Sequence, residues 1–318
     1  MRTLLGLAAV GGAALYGVYN FLYYYEAMRK SSMCHFAEEH ALQALKTVRP
    51  EKLDKKCVAV TALQKCGSTL LCYVAALVNT ENRITNFRND FDIMPMLSFP
   101  QSLIHQNFNY RQDGKYQMFK INGRFEVMEQ GAGMKHHYEH IWMCRGINGY
   151  FCSIYWWVIS FYPKIKDSFK CFTWVTFDVF KDMFYKMIAT EHINDCHYVY
   201  TRLKAGQKFL YVTTYEVLVK NKRAEVQKLA KALDIKLSAG QIDDICEKTS
   251  KRSMAEYDRF DPVHFGDGDG LSKINLKAHN HALNAADLQW YQEQFEQKFA
   301  GTGIKTYEDF SQFISAFQ

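Results

Sequence analysis

A short polar loop near the start of the globular region carries residue types that bind a phosphate group. Its residues are Lys65, Cys66, Gly67, Ser68 and Thr69. The loop follows the apolar run Cys57–Leu63, which predicts a buried strand, and precedes Leu70–Val78, whose apolar residues recur at helical spacing. In a strand–loop–helix unit, loop amides and the helix N-terminus converge on an anion. The spacing therefore predicts a phosphate site at this loop.

A second set of residues that could bind phosphate lies further along the chain. The run His140–Cys144 predicts another buried strand, which leads directly into Arg145, and Ser153 follows eight residues later. A guanidinium offers a fork of N–H donors and a hydroxyl offers one more, so the two together suit a dianionic phosphate. Taken alone, the pair is equally compatible with a residue at a helix start and an ordinary residue within that helix.

The order of residues in the first loop separates two classes of phosphate site. A Walker A loop places its lysine directly after the last glycine, whereas Lys65 precedes Gly67, and Ala62 stands where the first glycine would be. The loop instead resembles the 5′-phosphosulfate loop of sulfotransferases that use 3′-phosphoadenylyl sulfate (PAPS), with Cys66 in place of the family's serine or threonine. The same family binds the 3′-phosphate of the donor with a strand-end arginine and a serine eight residues later.

Two further segments resemble the family in the same chain order. The strand predicted for Phe209–Thr213 is followed by Tyr215 and Glu216, and then by a helix predicted from about Lys222 to Leu233. In the family, a tyrosine at this place lies near the adenosine. The pattern Thr-Ser-x-x-x-Met follows the next predicted helix, and in the family its first residues contact adenine. Its residues here are Thr249, Ser250 and Met254.

The resemblance covers about Lys56 to Asp258 and implies both a fold and an activity. The fold is an α/β domain with a P-loop-type, mostly parallel central sheet flanked by helices. The activity is transfer of a sulfuryl group from PAPS to a hydroxyl or amine acceptor of unknown identity, with 3′,5′-ADP as product and no metal. The residues implied for donor binding are Lys65, Cys66, Gly67, Ser68, Thr69, Arg145, Ser153, Tyr215, Thr249, Ser250, Met254 and Lys273.

The chain departs from the family at two places that concern the donor. Leu70 replaces the tryptophan that follows the first loop, which removes an aromatic surface. The family's late basic loop, Arg-Lys-Gly-x-x-Gly, has no clean counterpart, because the corresponding segment contains glycines but no arginine. The resemblance therefore implies either a shorter loop or a contact from Lys273 or Lys277 to the 3′-phosphate.

The base that takes the acceptor's proton is not marked by a motif. Sulfuryl transfer needs a cation beside the leaving phosphate, which Lys65 can supply, and usually a base. Soluble members of the family use a histidine ahead of the motif arginine, and Gly123 stands at that position here. Membrane-bound relatives can use an acid after the loop lysine, which corresponds to Asp92. Lys65, Asp92 and Glu126 are therefore the catalytic candidates, with His105 as a further one.

Two other functions stay open at this point. A non-catalytic, membrane-tethered relative would keep the nucleotide site and lack the base. A P-loop phosphotransferase is disfavoured because Lys65 comes before the glycine. Binding of 3′,5′-ADP separates the phosphotransferase from the other two functions, and sulfate transfer separates the enzyme from the non-catalytic relative.

The first 30 residues differ from the rest of the chain. The run Leu4–Tyr25 has no charged residue, and a helix of its 22 residues would span about 33 Å, enough for a hydrocarbon core of about 30 Å. Its length and its tyrosine-rich end favour a single membrane span over a cleaved signal peptide or a buried helix. We expect an anchor in residues 1–30, a juxtamembrane helix and linker in 31–55, and a sulfotransferase-like domain in 56–318.

Charge does not decide on which side of the membrane the domain lies. Lysines and arginines that follow the apolar run lean towards a cytosolic domain. Membrane-tethered relatives in the family typically place the catalytic domain in the Golgi lumen. The resemblance therefore implies a single-pass protein of the Golgi or endoplasmic reticulum membrane, with the side of the domain left open.

The overall composition excludes several classes of protein and partner. With 48% hydrophobic and 23% charged residues, the chain is a folded globular protein rather than a disordered one. A net charge of +6 is small for 318 residues, so nucleic acid is not an expected partner. Nine cysteines without a Cys-x-x-Cys pair argue against a disulfide framework and a zinc site.

The charge-free run Gly146–Pro163 overlaps Ser153 and predicts a buried helix rather than a second membrane span.

Overall fold

The computed structural model describes residues 55–84, 114–131, 138–165, 175–257 and 281–317, together with the single residues 42 and 94. The described strands are β1 (Cys57–Ala62), β2 (Gln117–Asn122), β3 (Tyr138–Cys144) and β4 (Tyr211–Thr214). The described helices are α1 (Ser68–Asn79), α2 (Phe125–Gly131), α3 (Ile147–Ile165), α4 (Phe177–Lys204), α5 (Tyr215–Lys220), α6 (Lys222–Ala232), α7 (Ala239–Lys248), α8 (Lys251–Tyr257), α9 (Ala285–Lys298) and α10 (Tyr307–Ala316).

The four described strands form one parallel sheet in the order β2-β1-β3-β4. Every residue of β1 and β2 is buried, which explains why β1 has a continuous apolar sequence rather than an alternating one. The prediction of a mostly parallel sheet flanked by helices is confirmed. The strands predicted from the apolar runs are present, with ends that differ by one or two residues.

Alternate side chains of the strands enter two separate cores, one on each face of the sheet. Val58, Val60 and Met143 pack with α1, α6 and α7 on one face. Trp142 and Cys144 pack with α3, α4, α9 and α10 on the other face. Helices therefore cover both faces of the sheet, and a ligand can reach the sheet at the ends of its strands.

Helix α3 contains the charge-free run that could have been taken for a second membrane span. Tyr150, Phe151, Ile154 and Val158 of this helix are at most 2% exposed and pack against α4 in the core. The prediction of a buried helix is confirmed. No helix in the described part of the chain is both long and apolar enough to cross a membrane. The run Leu4–Tyr25, like most of residues 1–54, lies outside the described residues.

Asp195 of α4 connects β2, α2 and β3 in the interior. Its side chain is 2% exposed, and it accepts hydrogen bonds from the backbone N–H of Phe125 at 2.6 Å and from the indole N–H of Trp142 at 3.2 Å. Phe125 is the first residue of α2, so the carboxylate satisfies an N–H group that has no partner within the helix. This contact holds the turn after β2 at the carboxyl edge of the sheet.

His140 of β3 is a buried histidine in aromatic surroundings. Its ring lies 5.0 Å from Phe125 and 6.1 Å from Phe209, and neither ring nitrogen has a hydrogen-bond partner among the described residues. Burial lowers the pKa of His140 to about 4; nearby Glu129 acts in the opposite direction, and Arg202 lowers the pKa further. Since the ordinary value is 6.5, the unfolded chain binds more protons than the folded one between about pH 6.5 and about pH 4. The contribution of this residue to stability therefore decreases as pH falls through that range.

Replacement of His140 by Phe should make stability less dependent on pH. The substitution keeps an aromatic ring in the core and removes the titrating group, so the free energy of unfolding should fall less steeply below about pH 6.5. Urea unfolding between about pH 7 and about pH 4.5 measures this slope. His197→Phe is the comparison variant, because His197 is only half-buried on α4; burial, and then Lys298, lower its pKa as well, so this substitution should change the slope less than His140→Phe. Equal slopes for the wild type and His140→Phe would contradict the prediction.

Candidate active site

The strand order creates a crevice between the carboxyl ends of β1 and β3. From β1 the chain passes through α1 to β2 on one side, and from β3 it passes through α3 and α4 to β4 on the other side. Open α/β sheets bind ligands where two neighbouring connections diverge in this way. Lys65 follows β1 and Arg145 follows β3, so the two predicted phosphate sites lie at this crevice.

The loop after β1 exposes the N-terminus of a well-formed helix. Gly67 is the N-cap of α1 with φ of 88°, and as a glycine it has no side chain that could cap the first turn. That turn contains no acidic residue of its own that would offset the positive end of the helix dipole. Lys65 also has positive φ, at 66°, which turns the loop sharply between strand and helix. The backbone geometry fits the predicted anion site.

Tyr215 links the two predicted phosphate sites. A Cβ atom added to Gly67 would overlap Cδ2 of Tyr215 and lie 2.9 Å from its Cε2, so the loop backbone rests directly against the ring. The guanidinium of Arg145 lies 4.4 Å from the centroid of the same ring, in a cation–π arrangement. The ring of Tyr215 therefore contacts both the backbone of the loop and the guanidinium of Arg145.

The guanidinium of Arg145 lies along the first turns of α3. Its Nη1 donates to the carbonyl oxygen of Lys65 at 3.5 Å, across the crevice. A Cβ atom on Gly149 would lie 2.7 Å from Nε of Arg145, so only glycine leaves room for this placement. Ser153, at 2% exposed, is one turn beyond Gly149 on the same face of the helix. The guanidinium of Arg145 and the side chain of Ser153 thus lie on one side of α3, and their joint binding of a phosphate stays a prediction.

Lys120 is a site residue that the sequence analysis missed. It lies on β2, is 3% exposed, and donates from Nζ to the hydroxyl of Thr69 at 3.1 Å. A lysine is seldom fully buried without a partner, so the position of Lys120 between Phe119 and Ile121 is the signal in the sequence that points to it. It places a second positive charge beside the predicted phosphate loop.

The residues predicted to contact adenine follow Tyr215 in the chain. They lie at the edge of the core that α1, α6 and α7 form on one face of the sheet. Thr249 ends α7 and is 2% exposed, and its carbonyl oxygen accepts a hydrogen bond from Nζ of Lys222. Ser250 shares a hydrogen bond with Ser253 at 2.9 Å. Met254, Tyr215 and Leu70 all pack against the core cluster of α1, α6 and α7. They therefore border a common apolar surface, in which Leu70 occupies the place of an aromatic residue.

Residues 55–303 match the family model described as the sulfotransferase domain, which is most of the chain. The chain belongs to the sulfotransferase family. No curated protein matches this sulfotransferase in sequence. Its fold is similar to that of mouse sulfotransferase SULT7A1 complexed with PAP, with a TM-score of 0.56, 13% identity, and coverage of 87% of this chain and 94% of that one. It is also similar to retinol dehydratase in complex with androsterone and inactive cofactor PAP, with a TM-score of 0.55, 14% identity, and coverage of 85% and 88%.

Of the remaining predicted site residues of the sulfotransferase, the structure describes Glu126 but not the other three. Glu126 is exposed at the second position of α2, and its carboxylate accepts a hydrogen bond from Gln130 at 3.4 Å. Asp92, His105 and Lys273 lie outside the described residues. Among the residues that are described, no cluster of His, Cys, Asp or Glu could hold a metal ion.

Cys66 is the departure from the family pattern within the sulfotransferase loop. Its side chain is fully buried, and its N–H donates to the carbonyl oxygen of Leu63 at 3.2 Å. Burial raises the pKa of the Cys66 thiol, Cys144 raises it further, and the charge of Arg145 acts in the opposite direction. The thiol is therefore neutral at physiological pH, and Cys66 contributes its backbone and its volume to the loop rather than a thiolate.

Gly67→Ala should damage this sulfotransferase much more than Gly206→Ala. Both glycines have positive φ, 88° and 79°, so each substitution carries a backbone cost of roughly 1–2 kcal/mol. A Cβ on Gly206 meets nothing within 4 Å, whereas one on Gly67 would overlap the ring of Tyr215. We expect an additional loss of roughly 1–3 kcal/mol for Gly67→Ala, measured by urea unfolding. Equal losses for the two variants would show that the loop does not rest on Tyr215.

Proposed function

We propose that this sulfotransferase transfers the sulfuryl group of PAPS to a hydroxyl or amine acceptor. The observation that carries the proposal is the contact of Arg145 with the loop of Lys65 across the crevice, where Nη1 of Arg145 donates to the carbonyl oxygen of Lys65 at 3.5 Å. A donor with phosphate groups at both its 5′ and 3′ positions requires two anion sites held at a fixed separation. The shared contact with Tyr215 supports such a fixed separation.

The residues of the crevice fit the chemistry of this donor. The loop amides of Gly67, Ser68 and Thr69 and the charge of Lys65 would hold the 5′-phosphosulfate. Arg145, with the hydroxyl of Ser153, would hold the 3′-phosphate, because a guanidinium binds a phosphate dianion through two N–H groups. Tyr215, Thr249, Ser250 and Met254 would border the nucleoside, and Lys273 is a further candidate for the 3′-phosphate.

Charge stabilisation is the main task of the chain's own groups. When bound, PAPS supplies the sulfuryl group, and 3′,5′-ADP is the product. Lys120 donates to Thr69 beside the loop that contains Lys65, so these two lysines would offset negative charge on the leaving phosphate. Lys120 is held by its place within the buried strand β2, and Lys65 belongs to the sharp turn between β1 and α1.

An acid remains our proposal for the acceptor base. Glu126 is the second residue of α2, four residues after the end of β2, and Asp195 holds the start of this helix at the carboxyl edge of the sheet. The carboxylate of Glu126 is open to solvent there. Asp92 is the alternative from the family pattern. Replacement of each by its amide separates the two, because loss of the base lowers kcat while 3′,5′-ADP binding stays unchanged.

The experiment for the proposed function compares nucleotides and then tests transfer. Calorimetry should detect 3′,5′-ADP binding that is tighter than 5′-AMP binding, and labelled PAPS should transfer its sulfate to a pool of hydroxyl and amine acceptors. A protein that binds both nucleotides equally would contradict the donor proposal. Selective 3′,5′-ADP binding without transfer to any acceptor would identify a non-catalytic relative, and preference for ATP would point to a phosphotransferase.

We further propose that Leu4–Tyr25 anchors the enzyme in a Golgi or endoplasmic reticulum membrane. Its length without charge supports this proposal. The full chain should stay with membranes during carbonate extraction, and a shortened chain that begins at His35 should be released with its nucleotide binding intact. Recovery of the full chain in the supernatant would contradict the anchor. Protease protection of the same membranes would identify the side of the domain.

A further inference from the structure

One peptide group at the turn after β3 is held at both ends by side chains from distant parts of the chain. This peptide group joins Arg145 to Gly146. Its carbonyl oxygen lies 2.7 Å from Nε2 of His192, and its N–H donates to Oε1 of Glu216 at 3.0 Å. His192 lies on α4 and Glu216 on α5, so the turn is held between two elements rather than by its own neighbours.

The hydrogen bonds of His192 have a single possible direction. A carbonyl oxygen only accepts, so Nε2 must carry the proton, and Nδ1 is then an acceptor. The hydroxyl of Tyr291 lies 2.9 Å from Nδ1 and is therefore the donor. The ring is fully buried, and burial lowers the pKa of His192 to about 4, although the bond to the Arg145 carbonyl acts against this. His192 is thus neutral and fixed in one tautomer at physiological pH.

Glu216 is oriented in a similar way. Its second carboxylate oxygen accepts a hydrogen bond from the hydroxyl of Tyr307 at 3.2 Å. Tyr307 begins α10 and is 8% exposed, and its hydroxyl also lies 3.4 Å from Sγ of Cys144. Tyr291 belongs to α9, so each of the two side chains that hold the peptide is itself held by a tyrosine of the C-terminal helices.

We propose that His192 and Glu216, each oriented by a tyrosine of α9 or α10, are positioning residues that fix the guanidinium of Arg145 for the 3′-phosphate. The peptide group that they hold sets ψ of Arg145 and so the direction in which its side chain leaves the turn. This inference rests on the proposed function, in which Arg145 reads the 3′-phosphate. The C-terminal helices then act on donor recognition through the Arg145–Gly146 peptide.

The decisive comparison is between two tyrosine variants of the full chain, Tyr291→Phe and Tyr185→Phe. Tyr185 is the matched control, because its hydroxyl also joins α4 to α9, by donating to the carbonyl oxygen of Asp287 at 2.7 Å. It does not contact His192 in the described structure. Tyr291→Phe should weaken 3′,5′-ADP binding on the order of tenfold and leave 5′-AMP binding unchanged, since only the 3′-phosphate contact loses its alignment. Tyr185→Phe should leave the ratio of the two affinities at the wild-type value. Calorimetry with both nucleotides measures the ratio, and thermal melting reports any loss of fold.

Variants of His192 test the same positioning role while Tyr291 stays unchanged. His192→Gln keeps an N–H donor near the Arg145 carbonyl and should retain part of the nucleotide discrimination, whereas His192→Phe should lose it. In an Arg145→Ala background, Tyr291→Phe should have no further effect on 3′,5′-ADP binding, because the group that it positions is already absent.

Each failure has a distinct meaning. If the wild type binds the two nucleotides equally, or Arg145→Ala does not change the ratio, the proposed role of Arg145 is wrong. If Arg145→Ala removes the discrimination but folded Tyr291→Phe keeps the wild-type ratio, the positioning role is wrong and the donor site stands. If His192→Phe does not fold, the result of Tyr291→Phe alone decides.

Discussion

Lys65→Ala should reduce sulfuryl transfer by about 10²–10³-fold or more while the fold persists. Lys65 belongs to the loop that would hold the 5′-phosphosulfate, so its loss would leave one lysine, Lys120, instead of two to offset the negative charge of the leaving phosphate. The fold should survive because Lys65 is half-buried in the loop, and alanine tolerates its positive φ no worse than lysine does. Initial rates with labelled PAPS and thermal melting measure the two effects.

Two companion variants make the result for Lys65 specific. Lys65→Met keeps most of the aliphatic side chain without the charge, so it should lose activity as Lys65→Ala does. Lys231→Ala removes an exposed lysine near the end of α6 and should leave the rate unchanged. Turnover near the wild-type level in both Lys65 variants would exclude this residue from the mechanism.

Arg145→Ala should weaken binding of 3′,5′-ADP by roughly 2–4 kcal/mol, as expected for loss of a charged hydrogen-bonding partner. Binding of 5′-AMP should change much less, because that nucleotide lacks the 3′-phosphate. The substitution also removes the cation from the ring of Tyr215 and the contact with the Lys65 carbonyl, so a modest loss of stability accompanies it. Calorimetry with both nucleotides separates recognition of the 3′-phosphate from a general loss of binding.

Two other arginine variants control for charge and for folding. Arg145→Lys keeps the positive charge but lacks the planar fork, so it should recover only part of the 3′,5′-ADP affinity. Arg223→Ala breaks a surface ion pair with Asp243 and should not affect either nucleotide. Equal losses of 3′,5′-ADP and 5′-AMP binding in Arg145→Ala would show that this residue does not read the 3′-phosphate.

The strands and helices around the site could be predicted because their signals are local. The apolar run at Cys57–Leu63 ends at polar residues, and apolar residues recur at helical spacing after Gly67. Arg145 and Ser153 are paired by the resemblance to the family motif, whereas the strand and helix predictions come from apolar patterns. Such patterns depend only on the periodicity of the backbone and on which side chains avoid water.

The contacts that join the site could not be predicted in this way. Lys120 reaches Thr69 only because β2 pairs with β1, and strand order depends on how the connecting helices cover the sheet. Apolar periodicity gives each strand a buried environment but does not say which strand will be its neighbour. A buried lysine therefore shows that a partner exists without showing which residue it is.

By itself, the amino-acid sequence determined the βα units, the residue types of the predicted phosphate loop and the order along the chain of the motifs that resemble the family's. Tertiary structure alone decided that Gly67 and Arg145 meet on the ring of Tyr215, and that His192 holds the Arg145 peptide with help from Tyr291. The physical reason is the range of the interactions. Backbone geometry and burial act over a few residues, whereas these contacts join segments far apart in the chain and form only when both faces of the sheet are packed.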